Sequence, residues 1–464
     1  MAVSYDFDLV SIGSGPAGQR AAIQAAKLGK RVAVIEKRRC LGGVCVDTGT
    51  IPSKTLREAV VAYVGVGGRF DRRRGADGRP TADVLLARVG EVVAREAEVV
   101  EDQLRRNDVS LLRGEGAFVD PHTLVVREGE SWRQVRAEHV LIAVGTGPAP
   151  PPGVAADGEV VMTTDDILHL KSIPRTMAVV GAGVIGVEYA SMFAALGVQV
   201  TLIEKRERFL EFVDREIVDE LMHQMRERKL TFRLGEAVER IEVAEGPPRR
   251  AVMLLESGKR IVADLALFSA GRLALSAALN LTAAGLTADP RGRLKVDEAF
   301  RTDVPHIFAA GDVIGYPNLA ATSAEQGRLA ACHAFGADAG PMEPHFPIGL
   351  YAIPEISMVG APEHELTAQK VPYETGVARY REIARGQILG DDSGLFKMLF
   401  HRETRRLLGV HAIGTGATEL IHIGQAVLGL GAGLDYFLRT VFNYPTLAEC
   451  YKVAALDASN KLGR

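Results

Sequence analysis

The sequence predicts an α/β protein of two doubly wound units followed by a C-terminal α+β unit, and three observations carry that expectation. A strand, a glycine-patterned turn, a helix and a second strand open the chain; the same order returns near residue 180; and from about Met342 no third copy occurs. At 464 residues the chain exceeds one ordinary core, so two to four domains are expected.

The first unit runs from the apolar strand Phe7 to Ile12 through Gly13-Ser14-Gly15-Pro16-Ala17-Gly18, a helix from Gln19 to Leu28, and a strand from Arg31 to Glu36. Gly13 permits a tight turn, Gly15 lets a pyrophosphate approach the backbone, and Gly18 lets helix and strand pack. Glu36 ends the second strand, where a carboxylate accepts ribose hydroxyls. The glycine pattern alone is weak, but strand, helix and terminal acid together make a Rossmann-like dinucleotide unit. The second copy reads Ala178-Val179-Val180-Gly181-Ala182-Gly183-Val184-Ile185-Gly186, then a helix from Val187 to Leu196 and a strand from Gln199 to Glu204. Two such units imply two dinucleotides. Ile173-Pro174-Arg175 reads as a linker into the second unit, after a loop from Gly145 to Gly153. Alternating strand patterns near Ala251 to Leu255 and Ile261 to Phe268 end at Ala270-Gly271-Arg272.

Bulk properties narrow the partners. A formal net charge of -3 gives no electrostatic case for nucleic acid or an anionic membrane. Met1 to Asp6 leads directly into a strand pattern, so no secretory signal is expected, and the apolar stretch from Ala178 to Ile203 is broken by Glu188 and glycines, unlike a membrane span. Four cysteines, Cys40, Cys45, Cys332 and Cys450, are too few and scattered for a disulfide scaffold, so a cytoplasmic protein is expected. Cys40 and Cys45 straddle the Gly42-Gly43 turn and are not expected to form a working dithiol. The histidines show no ligand spacing, and no metal is expected. The connection holding Arg69, Arg72, Arg73, Arg74 and Arg79, with Gly65, Gly67, Gly68 and Gly75, reads as exposed and mobile, without function.

Several segments resemble, in order, the pyridine nucleotide-disulfide oxidoreductases. Gly42-Gly43-Val44-Cys45-Val46-Asp47-Thr48-Gly49-Thr50-Ile51-Pro52-Ser53-Lys54 is similar to the family's flavin-proximal helix, with Thr50 in place of the second redox cysteine. Ala143-Val144-Gly145-Thr146-Gly147 resembles its turn between the flavin and nicotinamide domains. Thr302-Asp303-Val304-Pro305-His306-Ile307-Phe308-Ala309-Ala310-Gly311-Asp312 resembles the element returning to the flavin domain. Covering essentially the whole chain, the resemblance implies an FAD-binding domain in residues 1–150, an NAD(P)-binding domain in 151–271, completion of the first in 272–341, and an interface domain in 342–464. That last domain dimerises and lends its C-terminal end to the partner's active site, so a homodimer, or a larger homo-oligomer, is expected.

The resemblance also implies roles. Asp312 binds the flavin's ribityl chain; Lys54 stands at the flavin's N5 edge, where its charge stabilises the reduced ring; Glu188 pairs with that lysine and contacts the nicotinamide. Cys45 lies against the flavin as a packed thiol, and Thr50 either hydrogen-bonds near the ring or packs. Cofactor contacts extend to Gly42, Gly43, Gly116, Thr146, Gly147, Gly271, Arg272 and Ala320. Where the disulfide reductases carry a His-Pro-Thr segment with a glutamate five residues past the histidine, this chain has Tyr444-Pro445-Thr446 and Glu449. A phenol titrating near pH 10 is a poor base at neutral pH. Thiol and base are therefore missing together, and the combination is similar to the members of the family that pass hydride between NADPH and NAD through FAD. An NAD(P)H diaphorase acting on quinones, dyes or oxygen remains open, as does a dinucleotide sensor or assembly protein with little turnover; a disulfide reductase is the weakest reading. Cofactor preference is ambiguous. Glu204 suits the 2′-hydroxyl of NAD, whereas Lys205, Arg206 and Arg208 could attract the phosphate of NADP, so use of both is expected, with easier NAD(H) binding.

Overall fold

The computed structural model describes residues 4–65 and 80–463. The arginine-rich connection, apart from Gly65, lies outside the described residues, as does the chain start Met1 to Val3.

The first sheet grows from the opening unit: β1 (Phe7–Ile12), α1 (Pro16–Lys27), β2 (Val32–Glu36), α2 (Gly43–Asp47), α3 (Thr50–Gly65), α4 (Ala82–Arg105), then β3 (Ser110–Arg113), β4 (Glu115–Asp120), β5 (Thr123–Glu128) and β6 (Ser131–Ile142). Its parallel part runs β3-β2-β1-β6. The long strand β6 serves twice, because its first half pairs antiparallel with β5 while its end pairs parallel with β1. Helix α1 starts three residues before the expected Gln19. Pro16 at its first turn has φ already suited to a helix and no amide to waste there. The expected single flavin-proximal helix is two helices. The amides of Thr48 and Gly49 both turn back to the Val44 carbonyl, closing α2 before α3 begins.

The second sheet holds β7 (Thr146–Pro148) only at its approach, then β8 (Val161–Thr163), β9 (Thr176–Val180), α5 (Val184–Ala195), β10 (Gln199–Glu204), α6 (Arg215–Glu227) and β11 (Thr231–Leu234). Helix α5 likewise starts three residues early, at the glycine turn itself. A separate antiparallel layer comprises β12 (Val238–Ala244), β13 (Arg250–Leu255) and β14 (Arg260–Ala263), and the chain re-enters the parallel sheet through β15 (Leu265–Phe268), giving the order β11-β10-β9-β15-β8. The expected strand Ile261 to Phe268 is thus two strands in two sheets. Asp264 makes the corner, its carboxylate accepting from the Thr176 amide at 3.0 Å and its own amide donating to the Thr176 hydroxyl at 2.9 Å. Within the expected loop from Gly145 to Gly153, β7 pairs antiparallel with β16 (Arg272–Ala274), so the two connections between the sheets hold each other.

Strand β17 (Ile307–Ala309) returns to the first sheet beside β6, and α7 (Ala320–Ala334) packs on α1. The C-terminal unit has β18 (Ile348–Leu350), β19 (Ile356–Gly360), α8 (Glu363–Ala368), β20 (Tyr373–Arg379), α9 (Ala384–Leu389), β21 (Leu395–His401) and β22 (Leu407–Ile413), then α10 (Ala417–Gly429), α11 (Leu434–Arg439) and α12 (Glu449–Leu462). Its antiparallel sheet, in the order β18-β19-β22-β21-β20, is covered by α10 and α12. Leu350, Ile356, Leu395 and Ile413 of this unit share one apolar core with Val179, Phe193 and Leu221 of the second unit and Leu56 and Val60 of α3. A buried cation closes the seam: Lys397, 1% exposed, meets Asp214 and Glu216 at 3.1 Å each, and Glu363. These three acids are close enough to suggest a metal cage, but the ammonium already sits among them.

Candidate active site

A cleft opens beyond the C-terminal ends of β1, β2 and β6, where ligands of open parallel sheets bind. Gly13, at φ +109°, turns the chain so tightly that a Cβ there would lie 2.4 Å from the Ala143 carbonyl, and a Cβ on Gly18 would lie 1.9 Å from the Gly13 carbonyl. Gly15 is different. It has ordinary extended dihedrals, and a Cβ there would meet no protein atom within 4 Å, because the space beyond it is the cleft. Glu36 closes one end. Its Oε2 accepts from the Ser14 amide at 2.9 Å and hydroxyl at 2.7 Å, and its Oε1 from the Arg38 amide at 2.7 Å. Gly43, Cys45, Thr50, Gly116, Thr146, Asp312 and Ala320 line the remainder.

At the far end Thr50 and the Cys45 thiol lie side by side in the wall. Burial pushes that thiol up, so it stays protonated at neutral pH. Asp312 sits on the opposite wall with its carboxyl also raised by burial, and Thr146 donates to it at 3.1 Å. Sequence reasoning missed what stands behind these groups. Arg272 donates through Nε to the Thr146 hydroxyl at 2.9 Å and reaches Asp165 at 3.4 Å, and Asp165 accepts from the Thr48 hydroxyl at 3.1 Å. This chain of contacts fixes α2 against both connections between the sheets. No local motif marks Asp165, because Thr48 and Arg272 reach it from two distant segments.

The pair expected from the resemblance is formed. Lys54 Nζ lies 2.7 and 3.0 Å from the two Glu188 carboxylate oxygens, joining α3 to α5 across 134 residues. Glu188 is 2% exposed, and its Oε1 also accepts from the Tyr351 amide at 2.8 Å. The Tyr351 ring lies 5.0 Å from the lysine ammonium, a cation–π contact that sequence reasoning did not foresee. Lys54 lies one turn beyond Thr50, and its charge reaches the Cys45 thiol.

In the second unit the same construction recurs. A Cβ on Gly186 would lie 1.9 Å from the Gly181 carbonyl, whereas one on Gly183 would meet nothing within 4 Å. Glu204, buried, accepts from the Ala182 amide at 2.8 Å. Lys205 is exposed, and Arg206 folds back onto Glu204.

Some expected residues lie elsewhere. Gly42 is left-handed and supports the turn by donating its amide to Ser14, while Gly147, Gly271 and Arg272 form the crossing of β7 and β16; none of the four lines the cleft, and neither do Gly18 and Lys54. Cys40 and Cys45 are both free thiols. Tyr444 is 69% exposed and lies outside this chain's cleft.

The cleft suits FAD by its donor set: a carboxylate at one end, a glycine turn at a helix start in the middle, and a thiol, hydroxyl and carboxyl around the other end. With a second glycine-turn unit beside it and a Lys–Glu pair between them, the molecule is a dinucleotide-dependent oxidoreductase. The chain belongs to the pyridine nucleotide-disulphide oxidoreductases, matching that family's description over residues 7–327 and its dimerisation domain over residues 346–455. It is 53% identical over 462 residues to the soluble pyridine nucleotide transhydrogenase of Mycobacterium bovis, covering 98% of each sequence. It is 44% identical over 466 residues to the protein of the same name from Photobacterium profundum, again covering 98% of each. Among solved structures it resembles LpdA from Mycobacterium tuberculosis, with TM-score 0.88, 25% identity, and 98% of this chain and 100% of that one covered. It also resembles the HOCl-induced flavoprotein disulfide reductase RclA from Escherichia coli, with TM-score 0.86, 26% identity, and 97% and 99% covered.

Proposed function

We propose that this protein is an FAD-dependent transhydrogenase that passes hydride between NADPH and NAD at one site, with no redox disulfide. The observation that carries the reading is the pairing of losses with a complete remainder. Thr50 stands beside Cys45 where a second thiol would be needed, Tyr444 replaces the thiol's base, and the Lys54–Glu188 pair is built, with its carboxylate buried. Full-length relatives named soluble pyridine nucleotide transhydrogenase support it, and they favour neither the diaphorase nor the sensor reading.

When bound, FAD supplies a ring that accepts hydride from one nicotinamide and returns it to another. The chain's own residues position and exclude. Gly15 leaves backbone room for the pyrophosphate while Gly13 and Gly43 make the close turns around it, Glu36 takes the adenosine ribose, and Asp312, held by Thr146, takes the ribityl hydroxyls. Lys54 keeps a positive charge where hydride arrival leaves negative charge, and Glu188 fixes that ammonium in place. Cys45, protonated, fills space and offers no nucleophile. Gly181, Gly183, Gly186 and Glu204 receive the NAD(P) half, with Lys205 and Arg206 at its adenosine end. The division of the chain at about residues 150, 271 and 341 follows from these roles. We place the protein in the cytoplasm as a homodimer; the dimerisation domain and the exposed Tyr444 and Val441 near the C-terminus support that assembly, and no helix among the described residues is long and apolar enough to cross a membrane.

Steady-state kinetics test the shared site. Initial rates at several NADPH and NAD-analogue concentrations give parallel reciprocal plots, and lipoamide or glutathione disulfide is not reduced above background. Intersecting plots, or rapid disulfide turnover, would overturn the proposal.

A further inference from the structure

The Lys54–Glu188 pair joins the two dinucleotide units, yet a third part of the chain reaches it. The connection between β18 and β19 passes between α3 and α5 as Tyr351-Ala352-Ile353 and is bonded to both helices. Toward α5, the Tyr351 amide donates to Glu188 Oε1 at 2.8 Å, and the Ile353 amide donates to the Ser191 hydroxyl, one helical turn along, at 3.0 Å. Toward α3, Arg57, one turn past Lys54, donates through Nε to the Ala352 carbonyl at 3.0 Å. Glu188, Ser191, Arg57 and Ala352 are all buried. Backbone fastened on both sides in this way fixes where the Tyr351 side chain starts, and its ring lies with its centroid 5.0 Å from Lys54 Nζ.

Lys54 needs such a contact more than Glu188 does. The carboxylate is 2% exposed and held by a backbone amide, whereas the lysine side chain is 25% exposed and ends a flexible four-carbon stem. A partly exposed ion pair restrains a long side chain weakly. Besides the two Glu188 oxygens, the ammonium has the Ser53 hydroxyl at 3.4 Å. An aromatic face attracts an ammonium through its quadrupole and brings no counter-charge. That distinction matters beside a flavin. A second carboxylate would cancel the charge that stabilises the reduced ring, but an aromatic face restrains the cation and leaves its net charge in place.

We propose that Tyr351 is a positioning residue for the hydride step: its ring holds the Lys54 ammonium where the reduced flavin needs it, so the C-terminal unit helps to set how readily the flavin is reduced. This assignment rests on the reading of Lys54 as the cation at the flavin's N5 edge. The Tyr351 amide bond to Glu188 is backbone and survives any change of side chain, so the ring's contribution can be removed by itself.

The midpoint potential of the bound flavin, measured by equilibration with a reference dye, reads this role without nucleotide or turnover. Tyr351→Leu is expected to lower the preference for reduced over oxidised flavin about 3- to 30-fold, the range of one cation–π contact, which for two electrons is a fall of about 15–45 mV. Tyr351→Phe keeps the ring and keeps the potential; Tyr351→Met takes the place of the leucine variant should that one not fold. Lys54→Met lowers the potential as well, and adding Tyr351→Leu to it changes nothing further. An unchanged potential in Tyr351→Leu would overturn the assignment, as would equal falls in Tyr351→Leu and Tyr351→Phe, which would point to the phenol hydroxyl. The same fall with and without Lys54 would also overturn it, because the ring would then act on the flavin directly. If Lys54→Met leaves the potential where it was, the lysine loses its place at the flavin and Tyr351 loses its role with it. The expected pattern in a protein that fails to pass hydride between NADPH and NAD would discredit the transhydrogenase reading and keep Tyr351 as the residue that positions Lys54.

Discussion

Lys54→Met slows reduction of the bound flavin by NADPH about 100- to 1000-fold, the loss that follows when one preorganised stabilising group is removed from a site where charge develops. The ammonium is held 2.7 Å from Glu188 and over the Tyr351 ring, so it needs no reorganisation when charge arrives. The same substitution costs stability, because it strands a carboxylate that is 2% exposed with the Tyr351 amide as its remaining side-chain contact. A fully buried pair broken this way loses about 3–5 kcal/mol; Lys54 is 25% exposed, so the lower end or less applies here. The two effects separate in Lys54→Met/Glu188→Gln, which regains stability without regaining rate. Stopped-flow reduction and urea unfolding read them independently. A single variant that reduces at the rate of the unaltered protein would remove Lys54 from the mechanism.

Gly18→Ala and Gly15→Ala both yield protein without flavin, for opposite reasons. A methyl at Gly18 falls 1.9 Å from the Gly13 carbonyl and 2.8 Å from the Ser11 hydroxyl, and the Gly13 backbone that it strikes cannot swing aside as a side chain would. The unit must open between α1 and β1, at a cost of about 3 kcal/mol or more. A methyl at Gly15 meets no protein atom, and its φ of -61° suits alanine, so the flavin-free protein unfolds within about 0.5 kcal/mol of the unaltered flavin-free protein. What it loses is the room through which a pyrophosphate approaches the loop. Denaturant midpoints of the flavin-free proteins and visible absorbance after reconstitution distinguish the cases. Flavin binding by Gly15→Ala as tight as in the unaltered protein would mean that the loop is not the cradle.

Much of this was legible in the sequence because the informative constraints are local. Each βαβ unit states its turn, its helix and its terminal acid within about thirty residues, and both units form where the glycines put them. The misreadings are equally local. Pro16 belongs by pattern to the turn although its fixed φ begins the helix, and Ile261 to Phe268 reads as one strand because an apolar run does not reveal that Asp264 carries the chain from one sheet to another. What stayed hidden depends on segments that meet only in three dimensions. Asp165, Tyr351 and the Asp214–Glu363–Lys397 cluster have no pattern in their own neighbourhoods. Thr50 and Tyr444 are legible as absences, and the structure adds why the remaining sulfur is inert: it is half-buried, and desolvation keeps its thiol protonated at neutral pH.

The claim that electrons move between nucleotides through flavin alone is tested most directly anaerobically. The flavin-loaded protein is reduced with one equivalent of NADPH, freed of nucleotide, and mixed with NAD. The flavin is expected to reoxidise within the turnover time with one NADH formed per flavin, in unaltered protein and in Cys45→Ser alike. Reoxidation that needs a quinone or oxygen, or that disappears with Cys45, would contradict it.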